Sequence, residues 1–194
     1  MQQKPYIVAL EEHYIDPDVA AHFTGGDAVR PSLKARYQDL GDLRIREMDA
    51  AGIDLVVLSH GAPATQKMEP ELAVRLARLA NDRLHAAVQA YPSRFAAFAA
   101  LPTPDPAAAA DELERSVDKL GFKGAMVHGL TNDLFLDDKR FWPIFERAQA
   151  LDVPIYLHPS IPHPAVIEAY YKDYAAAFPS LLRAGWGFTV ETAT

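Results

Sequence analysis

Short apolar runs alternate regularly with helix-like segments, and this alternation constrains the fold more than any other feature of the chain. The apolar runs occupy residues 6–13, 53–59, 95–101, 124–127 and 153–157. Because these runs are continuous and do not alternate with polar residues, they indicate strands that are buried on both faces. Helical spacing of apolar residues predicts helices over 43–51, 70–91 and 106–120, and another that starts at Asp137 or Asp138. This strand–helix–strand order predicts an α/β protein with a parallel sheet.

Two architectures satisfy this order, an open doubly wound sheet and a closed (β/α)8 barrel of the TIM type. Four histidines lie at or just after predicted strand ends: His13, His60, His128 and His158. They favour the barrel, because barrel enzymes carry their active sites at the carboxyl ends of the strands. A complete barrel has eight strands in about 250 residues, whereas the 194 residues here contain five predicted strands. We therefore expect one domain over 1–194 that corresponds to about the first five strand–helix units of a truncated barrel.

Composition and motifs exclude several classes of function. The formal net charge of -7 at pH 7 argues against nucleic-acid binding, which needs clustered Lys and Arg. The chain has no cysteine, so disulfides and thiolate metal ligands are excluded. Glycine-rich nucleotide motifs and the Gly-x-Ser-x-Gly nucleophile elbow do not occur in the sequence. No stretch suits a membrane span or a signal-peptide core, so we expect a cytoplasmic protein that acts on a small molecule.

The first apolar run ends on Glu11, Glu12 and His13. Side chains alternate between the two faces of a strand, so Glu11 and His13 are expected on one face and Glu12 on the other. A carboxylate and a neutral imidazole that converge at a strand end suit a divalent metal ion such as zinc or manganese. The alternative is that the strand has simply reached solvent, where both residue types are ordinary.

The segment 14–41 has no sustained apolar period, which predicts a long loop with short helical turns. Long loops inside compact domains often carry binding residues. Phe23 and Tyr37 are candidates for a pocket wall there, and anchoring of the loop to the core is the alternative role for both. Histidines without a matched partner are expected at the surface or behind the site: His22, His60, His85 and His163.

The first and fifth predicted strands end in the motifs Ala-Leu-Glu-Glu-His at 9–13 and Leu-His-Pro at 157–159. On these motifs the chain resembles the amidohydrolase-superfamily decarboxylases, a group that includes γ-resorcylate (2,6-dihydroxybenzoate), 5-carboxyvanillate and aminocarboxymuconate-semialdehyde decarboxylases. Within this group the chain most resembles the γ-resorcylate decarboxylases. Further matching stretches are spread collinearly over the chain, at 46–53, 80–82, 92–95, 99–102, 120–124 and 187–192.

The resemblance implies a metal-dependent, oxygen-independent decarboxylase, which is a lyase, on a distorted barrel. It implies that Glu11, His13 and His158 bind one divalent metal ion, zinc or manganese. In the family, an aspartate on the eighth strand completes the metal site and delivers a proton to carbon, and a His-x-Gly-Glu motif on the sixth strand lies beside the substrate. Neither lies in these 194 residues, so no catalytic acid is assigned in this chain.

The resemblance also implies a small hydroxybenzoate-type acid as substrate, held in an apolar slot beside the metal ion. The slot is assigned to six residues: Phe23, Ala62, Pro63, His128, Trp186 and Phe188. His128 stands where the γ-resorcylate enzymes are expected to have a small polar residue, and the loop 159–164 differs from theirs in detail. Trp186 and Phe188 equally suit barrel filling or a subunit contact, and the intact protein is expected to be a homo-oligomer, a dimer or a tetramer.

Two competing functions remain open at the level of the sequence. Related barrels use a metal ion to activate water, so a hydrolase or hydratase of the same superfamily is the second hypothesis. The third is an inactive fragment, because three of four metal ligands leave an open site. Five strands of an eight-strand barrel would also leave the first and fifth as unpaired edges with exposed apolar side chains. We therefore expect the chain to self-associate or to belong to a longer polypeptide.

Overall fold

The computed structural model describes residues 4–24, 29–182 and 185–189. Its strands are β1 (Val8–Tyr14), β2 (Leu55–His60), β3 (Phe95–Ala97), β4 (Ala99–Ala100), β5 (Ala125–His128) and β6 (Ile155–His158). All strand pairs are parallel, in the orders β1-β2-β3 and β4-β5-β6. Phe98 separates β3 from β4, so the single predicted third strand passes from one sheet to the other. Spatial order therefore follows chain order, as in the first part of a (β/α)8 barrel.

Helices connect the strands. In the described residues they are α1 (Pro17–Ala20), α2 (Lys34–Gln38), α3 (Asp42–Ala51), α4 (Pro70–Ala90), α5 (Pro106–Asp118), α6 (Trp142–Leu151), α7 (Pro164–Val166) and α8 (Lys172–Ala175). Short 3-10 segments occupy Pro31–Leu33, Lys139–Phe141 and Pro179–Leu182, and a π-helical turn spans Ile167–Tyr171. The predicted fold class is confirmed, including the short turns in the first long loop. Across these residues, no helix combines the length and hydrophobicity that a bilayer crossing needs.

The sheet is buried on both faces in its middle, as the continuous apolar runs indicated. In β2, Val56 and Leu58 belong to a large cluster between the sheet and the helices. The intervening Val57 packs on the opposite face with Phe98 and Met126. This second face is the inside of the barrel, so the alternation along each strand determines which strand-end side chains point into a site.

Local signals predict helix ends better than helix faces. Asp105 caps α5, because its carboxylate accepts the Ala108 N–H at 3.0 Å. Gly52 ends α3 with φ of 70°, a left-handed conformation that glycine adopts at little cost. The apolar spacing of α6 predicts Phe145 on its buried face, and this is wrong. Phe145 is 36% exposed, and the neighbouring Ile144 is buried instead.

Strand β1 contains an irregularity that the sequence did not predict. The pairing with β2 shifts between Ala9 and Glu12, so Leu10 and Glu11 together stand opposite Val57. A β-bulge of this kind re-aims the following side chains by one residue. Beyond the bulge, His13 pairs with Ser59 on the inner face. Glu11, two residues before His13, consequently shares that face.

Strands β1 and β6 are the edges of the described sheet. Both edges carry exposed apolar side chains, with Leu10 on β1 and Leu157, which is 60% exposed, on β6. The expectation of two unpaired edges is therefore confirmed for the described residues.

Candidate metal centre

The carboxyl ends of β1 and β6 bring Glu11, His13 and His158 together on the inside of the barrel. Nε2 of His13 lies 3.3 Å from Nε2 of His158. Oε1 of Glu11 lies 3.5 Å from the same nitrogen of His158. The two polar side chains that the first strand places on its inner face thus meet a histidine from the last described strand.

Both imidazoles have a hydrogen-bond partner for Nδ1 on the side away from this meeting point. Nδ1 of His158 lies 2.6 Å from the carbonyl oxygen of Pro159, and because a carbonyl only accepts, this nitrogen carries the proton. Nδ1 of His13 lies 3.0 Å from Oγ of Ser59, which can accept its proton. Burial, and secondarily the charge of His158, lowers the pKa of His13 to about 4, so its ring is neutral at pH 7. When Ser59 accepts the proton on Nδ1, the lone pair of His13 Nε2 faces His158, an arrangement that a cation stabilises.

The donors fit a divalent ion by type, and two of their separations approach those of ligands on one ion. Ligand atoms about 2.1 Å from one ion lie about 3.0–3.4 Å apart at bond angles between octahedral and tetrahedral. The separations of 3.3 Å and 3.5 Å are close to this range. In the described ranges, however, no three acidic or imidazole side chains already enclose one cation position. Glu11 is the loosest donor, because 49% of its side chain is exposed against 15% for His158.

The neighbouring Glu12 points away from this cluster, as the alternation predicted. Its carboxylate lies 3.7 Å from Nη1 of Arg44. Arg44 also donates through Nη2 to the main-chain carbonyl of His13 at 3.0 Å. Because the Arg44 side chain is 11% exposed, this bond holds the end of β1 from the helix side. Sequence reasoning missed this residue, since an arginine in the first turns of α3 carries no distinguishing signal.

A third imidazole, that of His128, lies beside the cluster. Its ring centroid is 4.9 Å from that of His158 and 5.7 Å from that of His13. Nε2 donates to the main-chain carbonyl of His60 at 2.7 Å. Burial lowers the pKa of His128 well below its ordinary value, so the ring is neutral and Nδ1 is an acceptor. Nδ1 is buried and has no hydrogen-bond partner among the described residues.

Comparison with known protein families agrees with this geometry. Residues 14–183 match the family described as amidohydrolase, which is most of the chain. The chain belongs to the amidohydrolase family. The resemblance that the strand-end motifs indicated is therefore confirmed.

Several similar relatives are decarboxylases. A γ-resorcylate decarboxylase from Polaromonas sp. (strain JS666) is 42% identical over 195 residues, which is 96% of this chain and 58% of the relative. The crystal structure of a dihydroxybenzoic acid decarboxylase from Polaromonas sp. JS666, with bound manganese and the inhibitor 2-nitroresorcinol, matches with a TM-score of 0.83 and 42% identity, over 97% of this chain and 58% of that one. A manganese-bound 5-carboxyvanillate decarboxylase from Novosphingobium aromaticivorans matches with a TM-score of 0.87 and 31% identity, over 96% of this chain and 59% of that one.

This amidohydrolase chain thus spans somewhat more than half the length of the relatives that it matches, with 58% of the first of them covered. The two solved structures contain bound manganese. A divalent ion is accordingly the cofactor that the family comparison supports, in agreement with the donors at Glu11, His13 and His158.

The slot residues assigned by the resemblance lie at different distances from these donors. The ring of Phe188 is 6.0 Å from that of His158. The ring of Phe23 is 6.2 Å from that of His60, and Phe23 also packs against the small cluster that includes Val19. Phe23 therefore anchors the first loop, and its place in the substrate slot stays a prediction.

The other three slot residues differ in exposure. Pro63 is buried and Ala62 partly buried in the loop that follows β2. Trp186 is exposed to solvent. The place of all three in a slot stays a prediction.

His60 lies in the core, which corrects the possibility that it is a surface residue. Its Nδ1 donates to the carbonyl of Gly61 at 2.8 Å, and its Nε2 accepts the N–H of Asp16 at 3.1 Å. Burial lowers the pKa of His60 to about 4. Asp16 in turn caps α1 and accepts Nη1 of Arg83 at 2.9 Å. His60 is therefore a fixed support for the loop after β1, with both nitrogens used.

The remaining histidines without a matched partner are outside the site. His22 is exposed to solvent. His85 bonds through Nδ1 to the carbonyl of Leu120 at 3.0 Å. His163 accepts the N–H of Ala165 and caps α7. Their positions agree with the expectation that they do not bind the ion.

Gln66 is a second residue that sequence reasoning missed. Its Oε1 accepts the main-chain N–H of His128 at 2.7 Å, and its Nε2 donates to the His128 carbonyl at 3.1 Å. The same amide reaches Oγ1 of Thr131 at 3.3 Å. A buried glutamine in the loop after β2 thus fixes the end of β5, and no pattern in the sequence distinguishes it from an ordinary loop glutamine.

Proposed function

We propose that the intact protein is a metal-dependent, non-oxidative decarboxylase of a hydroxybenzoate-type acid. The observation that carries the proposal is the convergence of His13 Nε2 and Glu11 Oε1 on His158 Nε2, at 3.3 Å and 3.5 Å. The chain is 42% identical to a γ-resorcylate decarboxylase over 96% of its length and to a dihydroxybenzoic acid decarboxylase over 97%.

The chemistry explains why such a cluster is needed. A hydroxybenzoate loses carbon dioxide readily only after the ring carbon that bears the carboxylate is protonated, which breaks aromaticity. A divalent ion supplies an electrophile that holds the phenolic and carboxylate oxygens during this change. Glu11, His13 and His158 would hold that ion, and the bonds of the two imidazoles to Ser59 and Pro159 keep their Nε2 atoms free for it.

Manganese is the first choice of metal, and zinc the second. One carboxylate and two imidazoles suit either ion. The manganese in the two matched structures favours the first. Metal analysis of the purified protein decides between them.

The proposal includes a small aromatic acid as the substrate, a cytoplasmic location and a homo-oligomeric intact protein. Exposed aromatic side chains support self-association, and they lie close together in the chain: Tyr170, Tyr174, Phe178 and Trp186. Large exposed apolar patches on a folded protein commonly mark interfaces. Light scattering of the purified protein tests the dimer and the tetramer against a monomer.

Product analysis tests the activity. The intact protein, loaded with manganese and supplied with 2,6-dihydroxybenzoate, is expected to release one carbon dioxide and one resorcinol per substrate. The variant His158→Ala, at the same concentration, is the matched control and is expected to release neither. Uptake of water with all carbon retained would contradict the proposal and favour the hydrolase or hydratase hypothesis, for which the donor set is equally suited.

A further inference from the structure

The rings of His13, His128 and His158 form a triangle on the inner face of the barrel. The centroid distances are 4.9 Å for His13 to His158, 4.9 Å for His128 to His158 and 5.7 Å for His13 to His128. The rings of each pair are inclined, at 77°, 64° and 59° respectively. The two contacts of His158 are edge-to-face, and the rings of His13 and His128 are tilted towards each other. His128 therefore touches both imidazoles that are expected to hold the ion.

His128 is held more firmly than either of these neighbours. In the β5–β6 ladder its Cα pairs directly with that of His158. Gln66 bonds both its main-chain N–H, at 2.7 Å, and its main-chain carbonyl, at 3.1 Å. The ring itself donates to the His60 carbonyl at 2.7 Å. With an exposed fraction of 1%, the ring has no room to turn without breaking one of these bonds.

The nitrogens of His128 are not what reaches the site. Nε2 is committed to the His60 carbonyl. Nδ1 is enclosed and meets no donor among the described residues. What His128 presents to His13 and His158 is therefore the shape of a rigid, planar ring.

We propose that His128 is a positioning residue whose ring fixes the orientation of the imidazoles of His13 and His158 and thereby sets the affinity of the site for a divalent ion. The inference rests on the proposed function, because it takes these two histidines as ligands. Groups behind the ligands of a metal ion typically change its affinity by about 10–100-fold when they are removed. A positioning residue that acts by its shape alone can be replaced by another planar ring. A metal ligand or a proton carrier cannot.

The test compares His128→Ala with His128→Phe in the intact protein. Manganese(II) affinity is measured from the electron paramagnetic resonance signal of the free ion during a titration, which needs no substrate and no turnover. We expect His128→Ala to weaken binding about 10-fold or more. We expect His128→Phe, which keeps a planar ring in the same space, to remain within about threefold of the wild type. His22→Ala is the matched control, because His22 is exposed and outside the site.

Two outcomes would overturn the inference. Equal affinity in the wild type and His128→Ala would show that the ring does not position the ligands. An equal loss in His128→Ala and His128→Phe, with both proteins folded, would show that a nitrogen matters and the shape does not. If His128→Ala does not fold, His128→Leu replaces it. Equal affinities of His128→Leu and His128→Phe would then overturn the inference, since a planar ring would not be needed.

The same titration separates this inference from the proposed function. A wild type that binds no manganese in this titration, and no zinc by metal analysis, would contradict the proposed function itself. A wild type that binds the ion, and loses it in His158→Ala but not in His128→Ala, would leave the proposed function intact and contradict only the role of His128.

Discussion

The ends of β2 and β6 are similar in sequence, yet their histidines have different surroundings. Each strand is a short apolar run that stops at a histidine, His60 in β2 and His158 in β6. His60 pairs with Tyr14 of β1, on the helix side, and its two nitrogens bond to backbone atoms. His158 pairs with His128, and its Nε2 faces Glu11 and His13.

The two histidines differ because the inward-facing positions of β2 and β6 are offset by one residue relative to the strand end. In β2, Val57 lies on the inner face, so Ser59 follows it there and His60 turns to the helices. In β6, Tyr156 lies on the inner face, and His158 follows it. A histidine at the end of a barrel strand is therefore a candidate ligand only when the alternation places it inside.

Substitution of His158 and His60 is expected to give the largest difference between the two strand ends. We expect His158→Ala to weaken manganese(II) binding by about 100-fold or more, because a direct ligand is removed. His60→Ala is expected to retain binding within about threefold but to lower the free energy of unfolding by about 1–3 kcal/mol, because buried groups of Asp16 and Gly61 lose their partner. Metal titration and urea denaturation of both variants measure the two effects. Loss of metal binding in His60→Ala, with the fold intact, would contradict the distinction.

Glu11 and Glu12 offer the same comparison within one strand. Glu11→Gln is expected to weaken metal binding about 10–100-fold, since an amide is a poorer donor to a divalent ion than a carboxylate. Glu12→Gln changes the same atoms on the opposite face, where the partner is Arg44. We expect a change of about twofold or less there, because partly exposed ion pairs contribute little. Isothermal titration with manganese measures the affinity of both variants. Equal losses of affinity would show that Glu11 and Glu12 do not lie on opposite faces of β1.

Asp16, whose main-chain N–H donates to His60, tests whether His60 supports the loop after β1. Its carboxylate accepts the N–H groups of Asp18 and Val19 at the start of α1, and it binds Arg83. We expect Asp16→Ala to lower the free energy of unfolding by about 1–2 kcal/mol, the usual effect of losing a helix cap. Chemical denaturation measures the change, and Asp18→Ala, at an exposed position, is the control. An unaffected midpoint would exclude Asp16 as the anchor of this loop.

Ser59 is expected to give a smaller effect on metal binding than the ligands. Its hydroxyl lies 3.0 Å from Nδ1 of His13, and when it accepts the proton there it leaves Nε2 free for the ion without reaching the ion itself. We therefore expect Ser59→Ala to weaken manganese(II) binding about 10-fold, the lower end of the effect of removing a group behind a ligand. The electron paramagnetic resonance titration resolves this difference. A loss as large as that of His158→Ala would make Ser59 a ligand and not a support.

The sequence predicted the parts of this molecule that depend on local periodicity. The strands and helices, the cap at Asp105 and the opposite faces of Glu11 and Glu12 all follow from side-chain alternation or helix-end chemistry. The correspondence of the chain to only part of a barrel followed from counting strands. The candidate ligands came from the strand-end motifs and the family resemblance, and the structure places them close together.

What the sequence did not predict depends on contacts between distant segments. The bulge in β1 is set by pairing with β2, and nothing in the local sequence marks it. Gln66 and Arg44 act through main-chain atoms of His128 and His13, so their residue types alone carry no signal. The sequence predicts His60 at the surface or behind the site, and only the register shows which face it occupies.

Crystallography with the anomalous signal of manganese tests the central claim most directly. Crystals of the intact protein grown with manganese(II) are expected to show an anomalous peak about 2.0–2.3 Å from an oxygen of Glu11 and from the Nε2 atoms of His13 and His158. A peak bound elsewhere, or a fully occupied manganese ion that leaves one of these three side chains unligated, would contradict the account.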